Sequence, residues 1–139
     1  MGKKSLEVGN TSEKKLTQIF KDNGFWAHRL AKADNGSQPF DIIAVKKNII
    51  WMVDSKHTRE ENASFPFSDI QPNQIVAMDY AIRFADVNSG RVGFVIFFER
   101  DALSPRFLPY SLYCQMTNIG KKSVTYDGLM PFDQALVLR

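Results

Sequence analysis

An α/β fold, with a central mixed β-sheet flanked by helices, is what this sequence predicts, on three observations. The chain has 139 residues, 44% of them apolar and 12% aromatic, enough to bury one core and to exclude a disordered or fibrous class. Two segments, Ile42–Val45 and Ile49–Val53, are apolar on both faces. That is the pattern of central strands covered by helices on each side, not of a sheet with one wet face. The periodic segments also run helix, three strands, helix, strand, which argues a sandwich around one sheet.

Element by element, residues 1–9 read as a flexible basic arm and residues 10–139 as a single domain. From Asn10, "NTSEKKLTQIFKDNG" has a cap candidate, then Leu16, Ile19 and Phe20 at helical spacing, and Gly24 as a stop. Phe25–Leu30 is a short strand, and Ala31–Pro39 a polar loop whose tightest turn signal is Asn35-Gly36. After the two apolar strands, His57–Asp69 reads as a connecting loop. Ile70–Ala85 is helical, with Pro72 tolerated in its first turn and Ile75, Met78, Ile82 and Ala85 forming a stripe. Arg91–Phe98 is another buried strand. The last third offers short strands at "SLYCQM" and "SVTYDG" and a helical turn around Asp133–Leu138.

Composition narrows the classes further. The longest apolar run is too short to cross a bilayer, and the start "MGKKSLEVGN" lacks the apolar core of a signal peptide, so no membrane role and a cytoplasmic location are expected. Cys114 is the single cysteine, which excludes an internal disulfide, and neither CxxC nor a zinc-spaced His pair occurs. Its sequence neighbours do not mark it as a nucleophile. The net charge is +3 and unevenly placed: residues 1–60 hold eleven Lys/Arg against seven Asp/Glu, or +4, leaving −1 for the rest. A basic half suits a polyanion such as nucleic acid, the plainer account being a solvated lysine-rich surface.

The chemistry concentrates in "QPFDIIAVKKNIIWMVDSK", residues 38–56. If Lys47-Asn48 is a two-residue turn, Lys46 pairs with Ile49 and partner numbers sum to 95. Asp41 then lies opposite Asp54, and Lys56 falls on the same face. A loop one residue longer would shift this register. Opposed carboxylates repel, an arrangement that a hard divalent cation reverses, because Mg²⁺ favours carboxylate oxygen. Lys56 beside them is placed to activate water or to stabilise charge on a phosphate. The alternative is that Asp41 and Asp54 are strand-end caps and Lys56 neutralises Asp54. Glu13 projects from the apolar stripe of the first helix, and with Asn10 as cap it equally fits a capping box. Gln74, at the inward edge of the second helix, is a site candidate or a helix cap. His57 is either a phosphate contact or solvated, and "FPF" at Phe65–Phe67 either anchors a loop or stacks on bases.

Taken together, Glu13, "GFWAHRL", a Gly-Ser loop, "PFDIIAV", "VDSK" and "FPFSDIQPNQI" resemble the PD-(D/E)XK nucleases. More narrowly they are similar to RecU-type and archaeal Hjc-type Holliday junction resolvases, over roughly Gly9 to Phe98. "PFD", twelve residues, then "DSK" carries most of this. The resemblance implies a restriction-endonuclease-like fold. It also implies a Mg²⁺- or Mn²⁺-dependent endonuclease cutting four-way DNA junctions in recombination and repair, as a homodimer. It implies that Asp41, Asp54, Glu13 and the Ser55 main-chain carbonyl hold the metal, with Lys56 as the motif lysine and Gln74 beside the site. Arg29 and Ser37 match residues near the DNA, and Lys3, Lys4, Lys14, Lys15 and His57 are further DNA contacts on this view. The motif acid is Asp54 where many relatives have glutamate, and the junction-threading stalk of the bacterial proteins is not evident. Rival readings are another PD-(D/E)XK nuclease (restriction-like, flap or repair) and a non-catalytic DNA-binding protein of the same fold. The origin is cellular or viral.

Overall fold

A computed structural model of the chain describes residues 2–31, 40–58, 64–84, 88–98 and 104–137, with residues 2–11 and 89 through their backbone only. The chain runs through α1 (Gly2–Asp22), β1 (Trp26–Arg29), β2 (Ile42–Lys46), β3 (Ile49–Thr58), β4 (Ser64–Pro66), α2 (Pro72–Phe84), β5 (Val92–Phe98), β6 (Arg106–Pro109), α3 (Tyr110–Asn118), β7 (Ser123–Thr125), β8 (Met130–Pro131) and α4 (Phe132–Val137). Six strands form one sheet in the order β1-β2-β3-β5-β6-β8. Among the described strands, only β3 and β5 pair in parallel; their neighbours pair antiparallel. The expected mixed sheet is therefore present, and β4 and β7 form a small second sheet.

Side-chain parity sorts the core into two layers. Trp51 and Val53 of β3, Ile42 and Ala44 of β2, and Val95 and Phe97 of β5 meet Leu16 and Phe20 of α1 and Phe132 of α4. On the opposite face, Phe94, Ile96 and Phe98 of β5 meet Met78 and Ala81 of α2, Tyr110 of α3, and Phe65 and Val124 of the small sheet. β5 is buried at every position, as a strand roofed on both sides must be.

Local chemistry explains how the elements end. Gly24, at φ +84°, closes α1: its N–H donates to Lys21 O (3.0 Å), and Phe25 N–H donates to Phe20 O (3.0 Å). This is a Schellman motif, completed by edge-on packing of Phe20 against Phe25 at 5.5 Å. The β2–β3 turn is the two-residue Lys47-Asn48 loop, with Lys46 opposite Ile49 as the hairpin arithmetic requires. Lys47 stands at φ +54°, a left-handed conformation that favours glycine or asparagine.

Four expectations change. α1 begins at Gly2, so residues 2–9 are helical and not an arm, and Asn10 lies inside the helix instead of capping it. The stretch 57–69 is not simply a loop: β3 extends to Thr58, β4 follows, and residues 67–69 make one 3₁₀ turn. "SLYCQM" is helical because Leu112, Tyr113 and Met116 turn to the core together. β6, which the sequence reading omits, pairs with β5; Gly93 permits this, since a Cβ there would lie 2.3 Å from Leu108 O. The 31–39 loop falls, from residue 32, outside the described residues, Ser37 included.

Candidate active site

The site is built where β2 enters the sheet beside β3. Asp54 and Lys56 sit opposite Phe94 and Ile96 of β5, whose side chains face α2, so both project to the α2 side. Asp41 immediately precedes β2. Its N–H donates to Val53 O (3.1 Å), and its carbonyl accepts from Leu30 N–H (2.8 Å), which ties the entrance of β2 to both neighbours. Its carboxylate Oδ2 accepts from Ser55 N–H (2.8 Å) and Ser55 Oγ–H (3.2 Å).

Asp54 is 1% exposed. Its Oδ2 accepts from Gln74 Nε2 (2.6 Å) and lies 3.2 Å from Lys56 Nζ. Lys56 Nζ also donates to Gln74 Oε1 (3.0 Å) and to Asp69 O (3.3 Å), and Gln71 N–H donates to the same Gln74 oxygen (3.1 Å). The Gln74 amide thus bridges carboxylate and ammonium, its nitrogen toward the acid and its oxygen toward the base. Burial pushes the Asp54 carboxyl well above the usual carboxylate range. The Asp41 charge and a hydrogen bond between the two carboxyls add to this, and Lys56 opposes it.

The donor set tests the fit of a cation. Two neighbouring buried carboxylates repel, a hard dication between them would reverse that, and every donor is oxygen, as Mg²⁺ or Mn²⁺ requires. Asp41 and Asp54 fit such an ion. Glu13 stands apart: it belongs to the α1 layer and pairs with Arg29 of β1 at 2.8 Å. Among the described residues no three His, Cys, Asp or Glu side chains gather closely enough to hold one metal. Since α1 runs through Asn10, the capping-box account of Glu13 also falls.

Of the sequence candidates, Asp41, Asp54, Ser55, Lys56 and Gln74 come together. Lys14 and Lys15 are exposed on α1. His57 is half-buried and opposite Phe97, so it leaves β3 on the face away from Lys56. Phe65 and Phe67 are buried, which settles "FPF" as an anchor and not a base-stacking group. The Asp69 carbonyl and Gln71 N–H were missed, because backbone groups carry no residue signature, and the Glu13–Arg29 pair has no spacing signal.

A mixed sheet between two helical layers, with an Asp pair at its centre and a lysine two residues beyond the second, is a fold of the PD-(D/E)XK nuclease type. The chain belongs to the archaeal Holliday junction resolvase (Hjc) family, whose model matches residues 4–101. Its fold is similar to the 1.6 Å structure of Archaeoglobus fulgidus Hjc, a Holliday junction resolvase from an archaeal hyperthermophile. The TM-score is 0.65 at 17% sequence identity, covering 95% of this chain and 98% of that one. No curated protein matches the chain by sequence.

Proposed function

We propose that this junction-resolving nuclease hydrolyses phosphodiester bonds of four-way DNA with Mg²⁺ or Mn²⁺ held by Asp41 and Asp54. Membership in the resolvase family gives the reaction class. The observation that carries the assignment is the contact between two buried carboxyls, with Lys56 3.2 Å from Asp54. Such a pair is poor for stability and well suited to a cation.

A divalent ion, when bound, supplies Lewis acidity toward a phosphoryl oxygen and makes water more acidic. The protein's own groups do the rest. Ser55 fixes the Asp41 carboxylate through two hydrogen bonds, so one wall of the site keeps its geometry. Gln74 and the Asp69 carbonyl hold the Lys56 ammonium beside Asp54, aimed at charge that develops on the phosphate. Arg29 neutralises Glu13, leaving that carboxylate a supporting group at the α1 side. The exposed Lys14 and Lys15 fit backbone contacts, whose strength falls with salt.

Resolution needs two paired nicks, and a two-fold dimer supplies two sites. On the solvent side of α2, Val76, Tyr80 and Phe84 are 53%, 58% and 73% exposed, with the last two rings 5.3 Å apart. This stripe is on the helix that carries Gln74, and a second copy docked there would link the two sites. Synthetic four-way junctions, flaps and linear duplex are incubated with the protein and Mg²⁺, beside Asp54→Asn and Lys56→Ala. Paired symmetric cuts on the junction, lost in both variants, support the assignment; unchanged cutting by either variant sinks it.

A further inference from the structure

Among the described residues, the face of the sheet that carries Asp54 is only half roofed. α2 and α3 pack on the inner strands through Met78, Ala81 and Tyr110. Outward, the same face passes to β2 and β1. There His28 lies beside Ile43 and Met52, and in the next row Trp26 lies beside Val45 and Ile50. Trp26 is 62% exposed and Ile50 39%. The Trp26 indole and His28 imidazole are parallel to within 3°, with centroids 5.7 Å apart. An exposed indole leaves a large apolar surface in water, and here it continues an apolar sheet face.

Position and charge identify what covers it. Asp41, Ile43 and Val45 follow one face of the chain at two-residue steps, so the Trp26 row lies about 13 Å from the carboxyl pair. That is roughly four nucleotide steps along a DNA strand. β1 and β2 contain no acidic residue, and Lys47 stands in the turn at the hairpin end of the sheet, complementary to a polyanion. A flat ring pair binds the π-face of any base. Continuous duplex hides those faces, whereas a branch point interrupts stacking and exposes them.

We infer that Trp26, supported by His28, is a stacking platform for a base unpaired at the branch of a DNA junction. This rests on the reading of the chain as a junction nuclease and adds the group that tells branched from linear DNA. The platform contributes binding and leaves hydrolysis to the carboxylate site.

Trp26 and Trp51 are the only tryptophans, and Trp51 is 2% exposed, so DNA-dependent fluorescence reports on Trp26. Asp54→Asn protein, blocked in cutting, is titrated with a four-way junction and with linear duplex of the same arm sequence. Junction should quench emission and duplex should not. Adding Trp26→Ala should weaken junction binding roughly 5- to 100-fold, with duplex affinity within about twofold; Trp26→Phe should restore part of the loss. Equal junction affinity in Trp26→Ala overturns the platform, as does an equal loss on both DNAs. A change in sedimentation with Trp26→Ala also overturns it, marking the face as a contact between copies. If the unmodified chain neither binds nor cuts junctions, the nuclease reading fails; if it does both and Trp26→Ala matches it, only the platform fails.

Discussion

Replacing Asp54 by asparagine should stabilise the metal-free protein. Asparagine keeps the shape, its oxygen can still accept from Gln74 Nε2 and Lys56 Nζ, and its amide can donate to the neighbouring Asp41 carboxylate. For charges about 4 Å apart at an effective dielectric near 20, repulsion is about 4 kcal/mol and attraction to a cation is similar. The Asp41 and Lys56 contributions therefore nearly offset, and burial decides the sign. We expect a gain of about 2 kcal/mol from relieving it, or roughly 5–10 °C in melting temperature for a domain of this size. The pH dependence has a definite sign. Asp54 binds its proton more tightly folded than unfolded, so its contribution to stability is complete below the unfolded carboxyl pKa of about 4. It is lost as pH rises through the folded value. Thermal unfolding in EDTA across acid to alkaline pH should show the variant's advantage growing over that window and then levelling. Added Mg²⁺ should raise the parent selectively. A variant no more stable than the parent at alkaline pH in EDTA would refute the reasoning.

Other substitutions test the frame around the site. Gly93→Ala drives a Cβ to 2.3 Å from Leu108 O and should cost about 3 kcal/mol in chemical denaturation; a loss under about 1 kcal/mol would mean that β5 and β6 part easily. Lys47→Gly removes the left-handed strain at φ +54° and should add about 1 kcal/mol, read as a higher denaturation midpoint at constant slope. Gln74→Ala deletes the bridge between Asp54 and Lys56. Single-turnover cleavage should fall about 10- to 100-fold while DNA binding holds, and a pure binding defect would contradict its placement.

Much of this was legible in the chain. The Asp41–Asp54–Lys56 relation follows from a two-residue turn and strand parity, because a period of two fixes which side chains share a face. α2 announced itself through its stripe, and Gly24 through its position after one. What failed was information that resides in tertiary contact. "SLYCQM" is rich in residues that suit either element, and only packing of Tyr113 against Phe67 and Phe94 selects helix. β6 has four residues, one of them proline, too few for a periodic signal. The helical state of residues 2–9 defeats a composition argument, since lysine and glutamate that suggest a solvated arm are also good helix formers. Glu13 was placed on the correct helix face, yet its partnership with Arg29 depends on how α1 crosses β1.

The two aspartates differ in how freely they can change. Asp41 completes the backbone as well as the site: its Oδ2 takes the Ser55 N–H, a ladder donor with a side chain for its acceptor. Truncating Asp41 to alanine leaves that amide unsatisfied, and lengthening it to glutamate moves the acceptor past its donor. Asp54 is held only through side chains and the hydrogen bonds of Gln74 and Lys56, which can follow a longer acid. Variation in the carboxylate pair is therefore channelled to one member. Sequences drifting around this site can exchange aspartate and glutamate at position 54 while position 41 stays fixed by the strand it helps to close.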